Sequence, residues 1–530
     1  MRSRAVIVAA VFAVALVSGG WLMQAGYDGS GSTNVARARL FDEVLAHVQN
    51  YYVDTVSESD LYRKAVDGML LELHDPHSVF LPPDRLAKLN ESTTGRYAGV
   101  GIQMDVREGW ITVVAPLPGT PAQRAGILTG DRVVDIDGRS THAWSSDEAI
   151  KALRGAPGSA VRLTVERPGN PIRLPFTLTR EEIRFHSVQH ALMLRNGVGY
   201  VDLTIFSENS DQELHAAIDS LKANGMRALM LDLRGDPGGL LDQGVAVADL
   251  FLDPGQKIVS MRGRRREADR DFIDRFPQAW PQMPLVVLVD SGSASASEIV
   301  AGALQDHDRA LIVGTTSYGK GSAQSLFPVS DSGALKLTTA LWYTPSGRSI
   351  NKAHASADDD DGDQEALRAL GAEAPKPRFK TDAGRTVLGG GGITPDVPVS
   401  DSADDAQAES LQAALGKHVA AFRDVLTDYA LAIKARGSVT SRSFTITPQM
   451  RAELYDRLRA KKINLPRPLY DADAPLVDRL LGDQIAQYVF GPQAEFERVV
   501  SRDRDITTAL GILDKAHTPQ ELLRAGTTKR

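Results

Sequence analysis

The first apolar pattern in the chain is helical. Between about Ala36 and Leu73, apolar residues recur every three or four positions, Val53-Asp54 interrupts the pattern, and Asp75-Pro76 ends it. This spacing marks the buried face of a helix. The pattern therefore predicts two helices within an N-terminal helical region, residues 36–95.

The pattern changes over residues 96–180 to short β-type runs separated by Gly and Pro turns. The clearest runs are Trp110–Val114, Arg132–Ile136 and Val161–Val165. Short apolar runs bounded by turn residues indicate strands. This part of the chain is predicted to be a small β-rich domain.

Residues 181–400 alternate between strand and helix patterns. Strands are expected at Val198–Ile205, Ala228–Leu233 and Leu285–Val289, and helices around Leu214–Leu221 and after Gly239. Such alternation is typical of β-α-β units over a partly parallel sheet. An acidic, Ala-rich segment, residues 355–377, is interpreted as a solvated surface insertion. Because residues 401–530 have a mostly helical pattern, the chain is predicted to be an α+β multidomain protein.

The composition is that of an ordinary globular protein, with 42% hydrophobic and 24% charged residues. A chain of 530 residues exceeds what one hydrophobic core serves, so about two to four folded units are expected. The net charge of -7 gives no reason to expect a nucleic acid partner, because phosphate backbones need clustered Lys and Arg. The absence of cysteine excludes disulfides, a lipid-attachment thiol and a thiol nucleophile.

The N-terminus has the pattern of an export signal. Basic Met1-Arg2-Ser3-Arg4 is followed by an unbroken apolar run from Ala5 to Val17. Counting on to Met23 gives 19 residues, within the roughly 17 to 25 that a spanning helix needs. Residues 1–25 are predicted to be a signal peptide or a membrane anchor. The protein is therefore expected in the periplasm or cell envelope, held at the inner membrane if the anchor is not cleaved.

The strongest chemical signal is a serine cluster between a buried-type strand and a helix. The segment Asp290–Glu298 reads DSGSASASE. The first N–H groups of a helix lack intrahelical partners and carry partial positive charge, so they can stabilise an oxyanion beside a serine. Capping and small-residue packing would explain the same residue types. The residues themselves do not separate Ser295 from Ser293 and Ser297.

A second cluster, SYGKGSAQ, places Lys320 between two glycines. A lysine acts as a base near neutral pH only if burial lowers its pKa. The spacing of Gly314, Gly319 and Lys320 also allows a phosphate-binding loop. However, Gly321 stands where that loop needs Ser or Thr, and no clear helix start follows.

A third cluster, Asp232–Gly239, reads DLRGDPGG and exposes glycine amides before a helix. Such amides suit a second oxyanion donor, although Gly-Gly after Pro is also simply a turn.

In order, composition and spacing, the three clusters resemble the strand-loop segments of the carboxy-terminal processing peptidases, also called tail-specific proteases. The resemblance implies a crotonase-like α/β protease core over residues 181–400. It also implies that Ser295 is the nucleophile, Lys320 its general base, and Gln324 the residue that orients the lysine. The amides of Gly238 and Ala296 would form the oxyanion hole.

The β-rich segment resembles a PDZ domain inserted before the catalytic region. Matching runs include Tyr97–Ile102, Gly119–Ala122 and Leu153–Gly155. A PDZ domain adds a peptide strand to a sheet edge and holds the terminal carboxylate in a nest of backbone N–H groups. That nest is expected at Gly99, Val100, Gly101 and Ile102. The departures from the family pattern are Asp236, where an asparagine is common, and the acidic insertion.

The implied reaction needs no metal or cofactor. A protein or peptide tail binds the PDZ domain, which raises its local concentration at the cleft. Neutral Lys320 takes the hydroxyl proton of Ser295, which attacks a peptide carbonyl, and water hydrolyses the acyl-enzyme. The resemblance also implies self-association, or docking of a helical-repeat lipoprotein adaptor, through the helical ends.

Histidine chemistry is an alternative. His307 lies 12 residues after Ser295 and could complete a Ser-His-acid triad, but it stands in a polar helix end and is interpreted as a satisfied surface histidine. His186 and His190 have a metal-like spacing for a helix, but their β-type segment and the lack of a third ligand disfavour zinc.

Two other classes of protein fit part of the pattern. A crotonase-like acyl-coenzyme A enzyme would share the β-α alternation and the glycine loops, and fold analogy does not decide between them. In a non-catalytic PDZ scaffold of the envelope, Ser295 and Lys320 would be incidental. The export signal and the PDZ segment favour the protease.

Overall fold

A computed structural model describes most of the chain. The described residues are 29–168, 170–329, 333–352, 376–399 and 403–527. The predicted signal or anchor, residues 1–25, lies outside them, as does the acidic insertion 355–377 except for its last two residues. Within the described ranges, no helix has the length and apolar character needed to cross a membrane.

The structure divides into two compact units. The smaller takes the residues up to Leu81 together with Leu326–Leu337, and the larger takes Pro82–Ser325 and Thr338–Arg530. The smaller unit contains helices α1 (Gly29–Tyr51) and α2 (Glu58–Leu71) and strand β1 (Val79–Leu81). β1 pairs antiparallel with the first residues of a later strand, Val79 opposite Lys336. The two helices agree with the two that the apolar spacing predicts.

The β-rich domain opens the larger unit. Its elements are α3 (Pro83–Thr94), β2 (Arg96–Gly99), β3 (Ile102–Arg107), β4 (Trp110–Pro116), α4 (Pro121–Arg124), β5 (Arg132–Ile136), β6 (Arg139–Ser140), α5 (Ser146–Leu153), β7 (Ala160–Glu166), β8 (Leu174–Thr179) and β9 (Glu181–Arg184). Its antiparallel sheet has the order β3-β4-β5-β7-β8, with β6 paired to β5. Ser145 and Glu148 cap α5 reciprocally, because each backbone N–H donates to the other's side chain.

A six-stranded sheet forms the centre of the larger unit, in the order β10-β11-β12-β15-β16-β21. Its strands and the helices between them are β10 (Val188–Met193), β11 (Val198–Leu203), α6 (Ser210–Ala223), β12 (Ala228–Asp232), α7 (Leu241–Asp249), β15 (Leu285–Val289), α8 (Ala296–Asp306), β16 (Leu311–Gly314) and β21 (Val397–Pro398). The five strands β11, β12, β15, β16 and β21 are parallel to one another, and β10 pairs antiparallel with β11 at the edge of the sheet. Parallel strands joined through helices are the arrangement that the sequence pattern predicts.

Further strands flank this sheet. They are β13 (Lys257–Gly263), β14 (Arg270–Ile273), β17 (Ser322–Pro328), β18 (Ala334–Tyr343), β19 (Arg378–Lys380) and β20 (Thr386–Leu388). β13 pairs antiparallel with β14 and with the end of β18, where Ser260 lies opposite Tyr343. β17 and β18 each have residues in both units.

The segment 401–530 is helical but serves two different cores. Its helices are α9 (Ala403–Leu415), α10 (Val419–Arg436), α11 (Pro448–Ala460), α12 (Arg467–Ala472), α13 (Ala474–Ile485), α14 (Pro492–Arg502), α15 (Arg504–Leu513) and α16 (Pro519–Thr527). Helices α9 to α13 bury their apolar residues against one another. Residues of α14 to α16 pack instead on the central sheet, on the face opposite α6, α7 and α8.

The β-rich domain also contacts the helical segment. The Glu108 N–H donates to Asp424 Oδ2 at 3.3 Å, Lys461 pairs with Glu108, and Lys434 Nζ donates to the Thr129 carbonyl at 3.1 Å. These contacts join the turn between β3 and β4, and the turn after α4, to α10 and the end of α11.

Candidate active site

The three clusters singled out in the sequence form loops at the carboxyl ends of neighbouring parallel strands. The loop after β12 contains Gly238, the loop after β15 contains Ser295, and the loop after β16 contains Lys320. Hydrogen bonds join the loops: Ala294 N–H donates to the Asp236 carbonyl at 2.9 Å, and Tyr318 N–H donates to the Ser293 carbonyl at 2.9 Å. In open sheets with parallel strands, this edge is where ligands bind.

Ser295 stands at the start of α8 in a strained conformation. Its backbone angles, φ of 56° and ψ of -112°, lie in a region that residues other than glycine rarely occupy. Such strain, of order 1–3 kcal/mol, persists only where the surroundings enforce it, and it is common at active sites. The residue is partly exposed and lies at the helix N-terminus.

The two neighbouring serines are fully buried and their hydroxyls are already bonded. Ser293 Oγ donates to the Leu233 carbonyl at 2.7 Å, and Ser297 Oγ donates to the Asp236 carbonyl at 3.0 Å. Both therefore support the loops. Of these three serines, only Ser295 has the exposure that a nucleophile needs.

Glu298 connects the serine loop to the lysine loop. Its side chain is fully buried, and one oxygen accepts the N–H groups of Ser295 and Lys320, each at 2.9 Å. The other oxygen accepts the Ser317 hydroxyl at 2.5 Å and the Gly319 N–H at 2.7 Å. The sequence reasoning missed this role. Its one signal is the spacing S-x-x-E from Ser295 to Glu298, which is that of a helix capping box.

The environment of Glu298 acts on its pKa in two opposing ways. Burial raises the pKa of this carboxyl and is the larger influence, while the hydrogen bonds from Ser317, Lys320, Gly319 and Ser295 lower it. These four hydrogen bonds favour the ionised carboxylate, since a protonated oxygen is itself a donor.

The loop after β12 lies directly against Ser295. A Cβ added to Gly238 would stand 2.8 Å from both the Ser295 Cβ and the Ala296 nitrogen, and Gly238 has a φ of 89°, so no side chain fits there. The Gly238 N–H donates to Asp236 Oδ1 at 2.7 Å. In this arrangement the amide that the family resemblance nominates as an oxyanion donor is therefore already engaged.

The Ala296 amide is in a different state. As the first residue of α8, it has no acceptor one turn earlier in the helix. Within the described residues, no hydrogen bond from its N–H is found. It is therefore a donor at the helix N-terminus, next to Ser295.

Lys320 is half-buried, and its loop is fixed on both sides. Lys352 N–H donates to the Gly319 carbonyl at 3.1 Å, and Gly321 N–H donates to Asn351 Oδ1 at 3.1 Å. The chain then continues directly into strand β17, whereas a phosphate-binding loop would continue into a helix.

Gln324 lies on β17. Its Nε2 donates to Ser322 Oγ at 2.9 Å and to Thr338 Oγ1 at 3.2 Å. Its expected contact with Lys320 stays a prediction.

The histidines considered in the sequence are committed elsewhere. His307 is the C-cap of α8, its Nδ1 lies 2.7 Å from Asp382 Oδ2, and its Nε2 lies 2.7 Å from the Lys257 carbonyl. Both ring nitrogens are therefore occupied. His186 contacts Glu213 and His190 contacts Asp202, and no group of three potential metal ligands is found in the described ranges.

A second concave site lies in the β-rich domain. The expected carboxylate-binding residues, Gly99 to Ile102, form the turn between β2 and β3. With α5 they line a cavity of about 260 Å³, whose other lining residues are Tyr97, Met104, Ser146, Ile150, Leu153 and Arg154. The wall of this cavity is apolar at Ile150 and Leu153, which suits an apolar side chain next to the terminal carboxylate of a peptide.

Comparisons with known proteins were made for the whole chain. The model of Peptidase family S41 matches residues 197–359, and that of the PDZ domain matches residues 112–167. The carboxy-terminal-processing protease of Bartonella bacilliformis is 40% identical over 314 residues, covering 58% of this chain and 71% of that protein. The carboxy-terminal processing protease CtpA of Bacillus subtilis is 32% identical over 323 residues, covering 61% and 68%. Among solved structures, the photosystem II D1 C-terminal processing protease is 29% identical, covers 67% of this chain and 86% of that chain, and has a TM-score of 0.36.

A strained, accessible serine over a parallel sheet, with a separate groove in an accessory domain, defines a serine hydrolase that carries a binding module. The two relatives and the family matches narrow this class. The chain belongs to the carboxy-terminal processing proteases of Peptidase family S41, and it is a serine protease with a PDZ domain. The predicted family is confirmed, and neither an acyl-coenzyme A enzyme nor a non-catalytic scaffold is supported.

Proposed function

We propose that this protease cleaves peptide bonds with Ser295 as nucleophile and Lys320 as general base, through an acyl-enzyme. The observation that carries the proposal is the shared acceptor: one oxygen of Glu298 binds the backbone N–H groups of both residues. This contact brings the two loops together at the edge of the sheet where ligands bind. The burial of Ser293 and Ser297 supports the choice of Ser295.

The oxyanion of the tetrahedral intermediate is held by backbone amides at the start of α8. The Ala296 N–H has no acceptor among the described residues and points from a helix N-terminus, which carries partial positive charge. Gly238 serves as the second donor once its N–H leaves the Asp236 carboxyl group. Gln324 orients Lys320 from β17.

Substrate tails bind the PDZ groove before cleavage. The turn Gly99–Ile102 holds the terminal carboxylate, and the cavity beside α5 holds an apolar side chain. Tethering a tail in this way raises the concentration of the rest of the substrate at the active site.

We also infer the location and the assembly of the protein from its family. The protein works in the periplasm or cell envelope, directed there by residues 1–25. Its core is crotonase-like. The apolar residues that α1 exposes, among them Leu40 at 63% and Val44 at 52%, support self-association or the docking of a helical-repeat lipoprotein adaptor.

The site assignment is tested by labelling the full-length protein with a fluorophosphonate, which reacts with activated serines, and locating the label by mass spectrometry. We expect the label on Ser295. Cleavage of an unfolded protein with an apolar C-terminal tail should fall at least ~1000-fold in Ser295→Ala and in Lys320→Ala, as for other members of catalytic dyads and triads.

Ser293→Ala and Ser297→Ala are matched controls, because each removes one hydroxyl from the same loop. Label on either of these serines, or undiminished cleavage by Ser295→Ala, would contradict the assignment.

A further inference from the structure

The contacts of Glu298 exceed what helix capping requires. In a capping box, the acidic residue accepts one backbone N–H from the residue at the helix start, which here is Ser295. Glu298 accepts three further donors, and all of them come from the loop of Ser317 to Lys320, about twenty residues later in the chain. These additional bonds do not cap the N-terminus of α8. They fix the position of the lysine loop.

The geometry is specific to an ionised carboxylate of this length. Each of its two oxygens accepts two donors, and three of the four donors are backbone N–H groups, which offer no acceptor. An amide would turn its own NH₂ group toward at least one of these N–H groups, which would leave it buried and unsatisfied. An aspartate is one methylene shorter and cannot reach both loops without moving one of them.

We propose that Glu298 is the positioning residue of the catalytic dyad: its carboxylate holds the Ser295 and Lys320 loops in the register that proton transfer requires. The inference rests on the proposed dyad. It assigns no proton transfer and no substrate contact to Glu298. Its effect on the rate is carried entirely by the geometry between the nucleophile and its base.

This assignment predicts a large effect of Glu298 on kcat and a small effect on KM. Displacing a reacting group by about 1 Å costs on the order of 100-fold in rate, so Glu298→Gln should lower kcat about 100-fold. KM for a tailed substrate, and binding of a tail peptide to the PDZ groove, should stay within about 2-fold, because the groove lies in a different domain.

A double-mutant cycle with Lys320 gives the decisive test. The rate at which a fluorophosphonate labels Ser295 is measured in wild type, Glu298→Gln, Lys320→Ala and the double variant. If Glu298 acts only by positioning the lysine against the serine, its substitution costs about 100-fold when Lys320 is present and less than about 3-fold when it is replaced, since residues that act as a unit are not additive.

Asp396→Asn is the matched control for a purely structural effect. Asp396 is a half-buried carboxylate of the larger unit that likewise accepts two donors, the Ile312 N–H at 2.9 Å and an Arg385 N–H at 2.6 Å. Its substitution should lower the melting temperature, while the labelling rate of the folded fraction stays unchanged.

Ser317→Ala keeps the test decisive if Glu298→Gln does not fold. This variant removes one of the four donors, together with the acceptor of the Ile393 N–H, and a smaller loss of about 3- to 10-fold, again absent without Lys320, is expected. Equal losses with and without Lys320, or no loss in either Glu298→Gln or Ser317→Ala, would overturn the inference. If Ser295→Ala itself still cleaved, the dyad would be wrong rather than the positioning.

Discussion

At the residue scale, Asp236 is a buried acidic residue close to Ser295. The residue is fully buried, Oδ1 accepts the Gly238 N–H at 2.7 Å, and Oδ2 has no hydrogen-bond partner within the described residues. Burial raises the pKa of the Asp236 carboxyl well above its usual range, and the hydrogen bond from the Gly238 N–H and the nearby Ser297 hydroxyl oppose this rise in pKa only in part. The folded protein therefore favours the neutral form of this side chain.

We expect Asp236→Asn to stabilise the protein at alkaline pH. Because the folded-state pKa is raised, the contribution of Asp236 is complete below its unfolded pKa and is lost as pH rises through the folded pKa. Asparagine keeps the acceptor for Gly238 but cannot ionise. In thermal melts, the melting temperature of the variant should match wild type near pH 4 and exceed it by about 3 °C at pH 8.

Asp271→Asn provides the opposite case. Its exposed carboxyl has a pKa that is lowered, first by a hydrogen bond from Arg262. This variant should be no more stable than wild type at any of these pH values. A difference between Asp236→Asn and wild type that did not change with pH would show that charge is not the cause.

The sequence identified the three catalytic clusters but could not rank their members. The three serines of this cluster differ only in the tertiary contacts they make. For example, the hydroxyl of Ser293 donates to the carbonyl of Leu233, which lies sixty positions earlier in the chain. Similarly, nothing local to Glu298 shows that the lysine loop returns to it.

At the element scale, the helix α10 contacts the PDZ domain at residues that do not line the peptide groove. A Cβ added to Gly130 would stand 2.5 Å from Leu431 Cδ2, so the turn after α4 lies tightly against this helix. Near this contact, Asp424 of α10 accepts the Glu108 N–H, and Lys434 of α10 donates to the Thr129 carbonyl. The groove is lined by α5 and the turn before β3 and takes no part in this interface.

We expect Leu431→Asp to release the PDZ domain from α10, because a charge replaces an apolar contact against a closely packed turn. Hydrogen exchange should rise about 10-fold or more at backbone amides of 106–110 and 128–132, and stay unchanged in β11 to β16.

Ala420→Asp adds the same charge to an exposed position of α10 and should leave exchange unchanged. If exchange in the two turns stayed at the wild-type level in Leu431→Asp, the contact would not hold the domain.

Local pattern predicted the elements of the central sheet well. β15 spans Leu285–Val289, as the apolar run predicts, because a continuous apolar segment between turns is typical of a strand buried on both faces. The flanking sheet of β13, β14 and β18 was not foreseen. Its strands lie far apart in the chain, and their pairing depends on contacts that no local pattern records.

At the scale of the whole molecule, the last helices complete the protease core. Buried residues of α15 and α16, among them Ala509, Leu513 and Leu522, have no exposed surface and pack on the central sheet. Arg234, two residues before Asp236, donates to Asp503 at 2.9 Å and to Asp505 at 2.8 Å. The C-terminal segment therefore supports the sheet and the catalytic loop together.

We expect a chain that ends at Phe490 to lack a folded core. Burying one Leu or Ile is worth about 1.5–3 kcal/mol, so losing the six buried Val, Leu and Ile residues of α14 to α16 removes about 9–18 kcal/mol of burial, which is comparable with the roughly 5–15 kcal/mol by which a domain is stable. Thermal melts should show no cooperative transition, and Ser295 should not be labelled by a fluorophosphonate.

A chain that ends at Thr527 keeps all three helices and is the matched control, expected to melt and label like wild type. A cooperative melt of the shorter chain would mean that the sheet does not depend on these helices.

This dependence was beyond the reach of the sequence. Amphipathic helical spacing in 401–530 predicts helices but does not say which sheet or helix receives each apolar face, so one predicted region turned out to serve two cores.

The contact of Arg234 with Asp503 and Asp505 sets an order of events during synthesis. Lys320 precedes Asp503 by 183 positions, which a ribosome adding about 5–20 residues per second needs roughly 10–40 s to cover. Throughout that interval, the nascent chain contains the proposed nucleophile and base but not the helices that pack beneath their loops. We therefore expect proteolytic competence only after α14 to α16 have been made.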